Sequence, residues 1–156
     1  MEKLYQNILA YIRQHNLTKI TIILTKASPY IIALIYALIL LILMINKSNK
    51  LLITIIKPLI TFIIITILRK LYDKPRPCVI YQIEPLLEHK KGQSFPSRHT
   101  ASAFSIALAL FNINNTLGII TLIIAMIVAL TRIMCGLHFI KDVITGIIIA
   151  IIINLI

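Results

Sequence analysis

Long apolar blocks separated by short polar turns occupy most of this 156-residue chain. Five largely aliphatic blocks follow one another, at residues 30–45, 51–68, 97–111, 116–130 and 138–156. With their flanking residues, such blocks approach the roughly 20 residues that an α-helix needs to cross the hydrocarbon core of a bilayer. The pattern therefore predicts an all-α fold, a multi-pass transmembrane helix bundle with about five spans.

Two amphipathic segments precede the first span. Residues 3–14 place their apolar side chains on one helical stripe, and residues 17–27 repeat this pattern more weakly and contain two lysines. A helix of this kind usually lies flat on the membrane surface. We therefore expect amphipathic surface helices in an interfacial N-terminal segment, 1–27, followed by a transmembrane core, 28–156. The first fifteen residues lack the continuous apolar core of a cleavable signal peptide.

Composition and charge argue against a soluble nucleic-acid-binding domain. Hydrophobic residues make up 59% of the chain and charged residues 13%, with a mean hydropathy of +0.95, whereas soluble domains are about a quarter charged. The net charge of +11 comes from basic residues between apolar blocks. This arrangement favours anionic lipid headgroups or phosphate substrates as partners, and not nucleic acid. Cys78 and Cys135 fit no zinc or CxxC spacing, so both are expected to be free thiols.

The polar residues are predicted to gather on one face of the membrane. If spans alternate in direction, the loop at 69–98 and the turn at 131–141 share a face, opposite the turns at 46–50 and 112–115. The ionisable residues on this face are Arg69, Lys70, Arg76, Arg98, His99, Arg132, His138 and Asp142. Such a cluster at span ends is a candidate functional site. The positive-inside rule would explain surplus cations, but not two histidines and an aspartate among them.

His138 and Asp142 are four residues apart, so on a helix they lie on one face, one turn from each other. A carboxylate in that position can accept one imidazole N–H and leave the other nitrogen free as a nucleophile. It also stabilises the positive charge that develops when the nitrogen attacks. The structural alternative is an ordinary histidine–aspartate pair at a helix end.

The sequence Pro-Ser-Arg-His at 96–99 begins the third predicted span. Ser97 is a good N-cap residue, and the N–H groups of the first turn, with the helix dipole, favour an anion. In that turn, His99 could protonate a leaving oxygen. Taken alone, the motif indicates only a capped helix start.

Arg76 stands between two prolines, which hold the backbone extended and suit its guanidinium to bidentate capture of phosphate oxygens. Arg69 lies seven residues earlier, at the end of the second predicted span. Taken alone, Arg69 and Lys70 would fit equally well as basic residues that snorkel to the headgroups and anchor the end of the span. Lys57, inside that span, is expected to snorkel to the near headgroups.

These three clusters, in this order, resemble the motifs of the type-2 phosphatidic acid phosphatase superfamily, the integral-membrane lipid phosphate phosphatases. That family carries Lys-x6-Arg-Pro, then Pro-Ser-Gly-His, then Ser-Arg-x5-His-x3-Asp. The corresponding residues here are Arg69-x6-Arg76-Pro77, Pro96-Ser97-Arg98-His99 and Thr131-Arg132-x5-His138-x3-Asp142. The resemblance runs from about residue 50 to the end, and its departures are Arg69 for Lys, Arg98 for Gly and Thr131 for Ser.

The resemblance implies a role for each matched residue. His138 would attack phosphorus, Asp142 would orient it, and His99 would protonate the leaving oxygen and then activate water. The phosphoryl oxygens would be held by Arg69, Arg76, Ser97, Arg98 and Arg132. No metal or other cofactor is expected, because the arginines supply the positive charge. The implied function is hydrolysis of a phosphate monoester or diphosphate on a membrane lipid through a phosphohistidine.

Three alternatives differ from this interpretation. Vanadium-dependent haloperoxidases share the pocket but are larger soluble proteins. A non-catalytic membrane protein that binds or transports anionic lipid would need the cations, but not a histidine–aspartate pair opposite a second histidine. An inactive phosphatase-like scaffold should have lost a catalytic residue, and none is lost here.

The substrate and the orientation are less closely determined. Undecaprenyl diphosphate, phosphatidylglycerophosphate and phosphatidic acid all fit a site at the membrane interface. We expect a multi-pass protein of the bacterial cytoplasmic membrane. By the positive-inside rule the site would face the cytoplasm, although many relatives act on the outer face. The lysines that favour the cytoplasm on the site face are Lys74, Lys90, Lys91 and Lys141.

Overall fold

The computed structural model describes residues 1–88 and 92–156, which form seven α-helices and no β-strand. The helices are α1 (Glu2–Gln14), α2 (Thr18–Ile45), α3 (Leu51–Tyr72), α4 (Pro77–Ile80), α5 (Arg98–Phe111), α6 (Asn115–Met134) and α7 (Ile140–Leu155). The all-α fold predicted from the sequence is confirmed. Lys90 and Lys91, which entered the charge argument for orientation, lie outside the described residues.

Three helical stretches in the described part of the chain are long and apolar enough to cross a membrane. They are Thr18–Ile45, Leu51–Ile80 (which includes α3 and α4) and Asn115–Met134. Helix α5 has 14 residues and α7 has 16; at 1.5 Å per residue both are shorter than the roughly 30 Å hydrocarbon core. The prediction of five spans is therefore not confirmed. Helices α5 and α7 are short because the residues before them form the polar turns of the candidate site.

Helix α2 continues without a break through Pro29, and the predicted separate surface helix at 17–27 is wrong, because these residues mostly form its first turns. Pro29 has no N–H to donate to the carbonyl of Thr25, four residues before it. Arg132 of α6 supplies a donor instead, since its Nη2 donates to the Thr25 carbonyl at 3.3 Å. The helix therefore tolerates the proline without leaving a buried acceptor unpaired.

Helix α3 accommodates Pro58 in the same way. The carbonyl of Thr54, four residues earlier, accepts a hydrogen bond from the hydroxyl of Tyr36 at 3.0 Å. The Nζ of Lys57, which we expected to snorkel, donates to the carbonyl of Asn154 at 2.8 Å. Because the last carbonyls of a helix lack intrahelical donors, this contact ties the end of α7 to α3.

Small side chains let α5 lie at the centre of the bundle, against α3, α6 and α7. Its buried alanines are Ala101, Ala103, Ala107 and Ala109. On α7, a Cβ added at Gly146 would lie 2.9 Å from the carbonyl oxygen of Ser97. Small residues permit this close approach of helix backbones in membrane proteins. The start of α5 is thereby fixed against α7, where the candidate site lies.

Helix α1 packs against the protein through much of its apolar stripe. Tyr5, Leu9 and Ile12 are buried, whereas Leu4 of the same stripe is 41% exposed. Arg13 at its end pairs with Glu84 in the loop after α4, at 3.2 Å. The amphipathic helix predicted over 3–14 is present, and its position at the membrane surface stays a prediction.

Candidate active site

Six of the predicted site residues meet at one end of the bundle. They are Arg69 in the last turn of α3, Arg76 before α4, Ser97 before α5, Arg132 in the last turn of α6, His138 in the turn before α7 and Asp142 in the first turn of α7. All six are buried, with no more than 9% of any residue exposed. Lys70 is exposed, so Arg69 and not its neighbour is the buried cation at the end of α3. Ionisable groups buried among apolar helices define a candidate functional site.

The imidazole ring of His138 is oriented by Arg76. Nε2 of His138 lies 3.4 Å from Nη1 of Arg76, and this Nη1 also donates to the carbonyl of Leu137 at 2.8 Å. A guanidinium group can only donate, so Nε2 accepts, and the proton of a neutral ring then lies on Nδ1. This tautomer points the lone pair of Nε2 towards the arginine and the N–H towards Asp142.

Asp142 anchors the turn that carries His138, but the predicted hydrogen bond between the two side chains is not formed. Asp142 Oδ2 lies 3.7 Å from His138 Nδ1, which is beyond hydrogen-bond range. The reason is that this oxygen already accepts from the Ser94 hydroxyl at 2.5 Å and from the Phe139 N–H at 3.0 Å. His138 Nδ1 and Asp142 Oδ1 have no other hydrogen-bond partner among the described residues, so a small rotation of the carboxylate could join them.

The surroundings of His138 favour its neutral form. Burial lowers the pKa of His138 from 6.5 to about 4, with Asp142 opposing this shift and the charges of Arg76 and Arg69 adding to it. At neutral pH the ring is therefore uncharged, and the lone pair of Nε2 can act as a nucleophile once the contact with Arg76 is released.

Each buried arginine is held by a backbone carbonyl. Arg69 Nη1 donates to Pro96 at 3.1 Å, and Arg76 and Arg132 donate to Leu137 and Thr25 as described above. The Nε atoms of Arg76 and Arg132 are buried and have no partner among the described residues. Buried donors without an acceptor are rare in native structures. Both N–H groups are available to donate to an acceptor from a ligand.

The start of α5 differs in part from its prediction. Ser97 occupies the N-cap position, but its side chain makes no capping bond; its hydroxyl pairs with that of Thr100 at 3.0 Å. Its N–H donates to the carbonyl of Asp142 at 2.9 Å, which links α5 to α7 directly. The guanidinium of Arg98 lies 5.5 Å from the ring centre of Phe62, which is a cation–π contact.

His99 lies between two cavities that open beside α2. One, of about 340 Å³, is lined by apolar residues together with Arg98 and His99. The other, of about 350 Å³, is lined by Lys26, His99 and Arg132, among others. Both include Pro29 of α2. The two cavities therefore have His99 and Pro29 in common, and one of them reaches Arg132 of the buried cluster.

Three residues of this site were missed at the level of sequence. Ser94 binds the Asp142 carboxylate, Tyr5 contacts the backbone of the His138 turn, and the carbonyl of Thr25 binds Arg132. Ser94 lies only three residues before Ser97, in the same polar loop, so its position gave a usable signal. Tyr5 and Thr25 gave none, because their contacts connect segments more than 100 residues apart.

The fold and this geometry define a class of protein: a bundle of apolar helices with a buried histidine, aspartate and arginine cluster at one end. A family model described as the PAP2 superfamily matches residues 33–156. The chain therefore belongs to the PAP2 superfamily, which confirms the family that its motifs resemble.

Two curated relatives come from Bacillus. The chain is 35% identical over 83 residues to the undecaprenyl-diphosphatase BcrC of Bacillus subtilis, an alignment that covers 53% of this chain and 43% of the relative. It is 31% identical over 106 residues to the bacitracin transport permease protein BcrC of Bacillus licheniformis, covering 65% and 52%. The chain thus matches about half the length of these relatives.

Two solved structures share the fold over nearly the whole chain. LpxE of Aquifex aeolicus superposes with a TM-score of 0.78 at 24% identity, covering 98% of this chain and 91% of that one. The PAP2-type phosphatidylglycerolphosphate phosphatase of Bacillus subtilis gives a TM-score of 0.60 at 18% identity, covering 97% and 89%. At these identities the likeness establishes the fold.

Proposed function

We propose that this protein hydrolyses a phosphate monoester or diphosphate on a membrane lipid, with His138 as the nucleophile. The proposal combines membership of the PAP2 superfamily with the chemistry of the buried cluster. The role of each residue is likewise part of the proposal, because family and fold do not by themselves assign roles to individual side chains.

One observation carries the proposal: the buried charges around His138 complement a phosphate group. Arg69, Arg76 and Arg132 contribute three positive charges, and Asp142 is the one carboxylate buried among the described residues. Two positive charges are left without a protein counter-charge. A phosphate monoester carries close to two negative charges at neutral pH, and guanidinium groups bind its oxygens through pairs of N–H donors.

In the first proposed step, Nε2 of His138 attacks phosphorus. A nitrogen–phosphorus bond forms while the bond from phosphorus to the lipid-side oxygen breaks, and His99 gives that oxygen its proton. Asp142 stabilises the positive charge that the ring acquires. Arg76 binds the incoming phosphoryl group, which releases Nε2 from the contact seen in the structure.

In the second step, water attacks the phosphohistidine. His99, now without its proton, takes one from the water, and the nitrogen–phosphorus bond breaks. Inorganic phosphate leaves and His138 is again neutral. The arginines and the first turn of α5 hold the phosphoryl oxygens in both steps, so that positive charge is in place as the transition state forms.

The basic residues in the cavities beside His99 favour a lipid diphosphate as substrate. When the terminal phosphate is attacked, the second phosphate of such a lipid lies next to the leaving oxygen, and hence next to His99. Arg98 lines one of the cavities beside His99, and Lys26 lines the other. Their positive charges can compensate the negative charge of this second phosphate. The relative from Bacillus subtilis is named an undecaprenyl-diphosphatase, so undecaprenyl diphosphate is the first candidate.

Phosphate release by the detergent-purified protein tests this function. The substrates are undecaprenyl diphosphate, phosphatidylglycerophosphate and phosphatidic acid, and the variant is His138→Ala, with the exposed His15→Ala as its matched control. We expect release by wild type and His15→Ala, fastest from the diphosphate, and none by His138→Ala. Equal release by both variants would refute the proposed nucleophile, and a preference for phosphatidic acid would refute the diphosphate assignment.

The alternative function is binding or transport of anionic lipid without chemistry. The name of the Bacillus licheniformis relative, a transport permease protein, makes it worth testing. In that case the purified protein would bind the lipids, and the arginine cluster would be needed for binding, but no phosphate would be released from any of them.

A further inference from the structure

The hydroxyl group of Tyr5 lies against the turn that carries His138. Its oxygen donates a hydrogen bond to the carbonyl of His138 at 3.1 Å and accepts one from the N–H of Ile140 at 3.2 Å. One hydroxyl therefore bridges the backbone on both sides of Phe139. The contact joins the beginning of α1 to a turn 133 residues later in the chain.

The ring of Tyr5 is held firmly in this position. It is fully buried, and it packs edge-on against Phe139, with ring centres 6.1 Å apart, and beside Tyr81 at 6.0 Å. Burial raises the pKa of Tyr5 to about 12, which keeps the hydroxyl protonated and able to donate. An amphipathic helix that only rested on a membrane would not need a buried tyrosine.

The two backbone groups that Tyr5 binds lie in the turn between His138 and α7. Ile140 is the first residue of α7, so its N–H has no acceptor within the helix. The N–H before it, on Phe139, is taken by the carboxylate of Asp142. Tyr5 and Asp142 together therefore fix the turn between His138 and α7, Asp142 from within the helix and Tyr5 from α1.

We propose that Tyr5 is a positioning residue for the nucleophile: its hydroxyl holds the His138 backbone so that Nε2 points at the phosphate-binding arginines. This inference rests on the proposed function for its catalytic consequence. It assigns α1 a part in the active site, although that helix lies outside the residues that the family model matches.

The test is Tyr5→Phe, which removes the hydroxyl and keeps the packed ring. Its matched control is Tyr11→Phe, which removes the hydroxyl of an exposed ring on the same helix. Single-turnover measurements give the rate constant and the amplitude of phosphoenzyme formation. Hydrogen exchange of a peptide covering residues 136–142 reports on the turn without requiring activity.

For Tyr5→Phe we expect the rate constant of phosphoenzyme formation to fall roughly tenfold or more, because small misplacements of reacting groups are costly, with the affinity for substrate unchanged. Exchange in 136–142 should quicken, while a peptide from α5 is unaffected. Tyr11→Phe should match wild type in every measurement. A reduced amplitude at an unchanged rate constant would indicate a merely structural role and overturn the proposal.

The outcomes also separate this proposal from the proposed function. If wild type turns over and Tyr5→Phe equals it in rate constant, the positioning role is wrong while the phosphatase function stands. If wild type releases no phosphate from any lipid, the phosphatase function is wrong. In that event unchanged exchange in 136–142 would overturn the role of Tyr5 as well, and faster exchange would support its hold on the turn.

Discussion

Replacing Asp142 by Asn removes the negative charge beside His138 and changes little else. The amide has nearly the same shape, and its oxygen can still accept the Phe139 N–H that now binds Asp142 Oδ2. The start of α7 should therefore survive, and the loss should fall on the reaction. In the proposed mechanism His138 becomes positively charged as it attacks, and Asp142 stabilises that charge.

The separation of the two side chains sets the expected magnitude. At the observed 3.7 Å, and with an effective dielectric constant of about 20, two unit charges attract each other by about 4 kcal/mol. Because about 1.4 kcal/mol corresponds to a factor of ten in rate, Asp142→Asn should lower kcat by roughly a thousandfold. The neutral imidazole of the resting enzyme gains much less from the carboxylate, so KM should change little.

The assay is steady-state phosphate release, with Asp73→Asn as the matched control. Asp73 is an exposed aspartate that accepts the Gln93 N–H at 3.1 Å, so the same chemical change is made at an exposed carboxylate that is not paired with a histidine among the described residues. The control should keep wild-type kcat. If a folded Asp142→Asn protein kept kcat within about threefold of wild type, the carboxylate would not stabilise a positive charge on His138, and the assigned role would be wrong.

Four further predictions follow from other features. First, burial lowers the pKa of His138 to about 4, so His138 should stay neutral well below pH 6.5. Protonation of His138 should therefore lower kcat/KM only as the pH approaches 4. A pH–rate profile in which this group titrates near 6.5 would contradict the buried geometry. Second, Gly146→Ala should destabilise the protein by about 1–3 kcal/mol, because its Cβ would meet the Ser97 carbonyl; a thermal shift measures this. Third, His99→Ala should impair lipid monophosphates more than esters with good leaving groups, and equal losses would exclude His99 as the acid. Fourth, a membrane-impermeant maleimide should label Cys78 only after cells are permeabilised if the site faces the cytoplasm; prompt labelling would place it outside.

The sequence predicted the fold class and the residues that meet at the end of the bundle. Long apolar blocks indicate spanning helices, because within a bilayer the backbone N–H and C=O groups must be paired with each other, and a helix does this within one segment. The site residues could be found because their spacing is a property of single turns, as with His138 and Asp142, and because three motifs occur in a fixed order. Distances between the motifs required the folded chain.

The errors arose where a distant partner decides the local structure. Residues 17–27 were predicted to form a surface helix separate from the first span, yet one helix runs through Pro29, and Arg132 supplies the missing donor from another helix. Tyr5 was not singled out, since nothing near it in sequence indicates the turn it binds. The shortness of α5 and α7 likewise follows from how the preceding turns fold, which hydropathy does not report.

The contact between Arg132 and the Thr25 carbonyl has a consequence for turnover. In the proposed reaction, a phosphate oxygen that binds Nη2 competes with a backbone oxygen that already accepts from it, whereas one that binds the buried Nε displaces no partner among the described residues. At Nη2 the arrival and departure of phosphate are then an exchange of acceptors. Such competition weakens the hold on the inorganic phosphate product and favours its release. Because Pro29 lacks an N–H, the Thr25 carbonyl of α2 is left to accept from Arg132, where it competes with the phosphate product and favours its release.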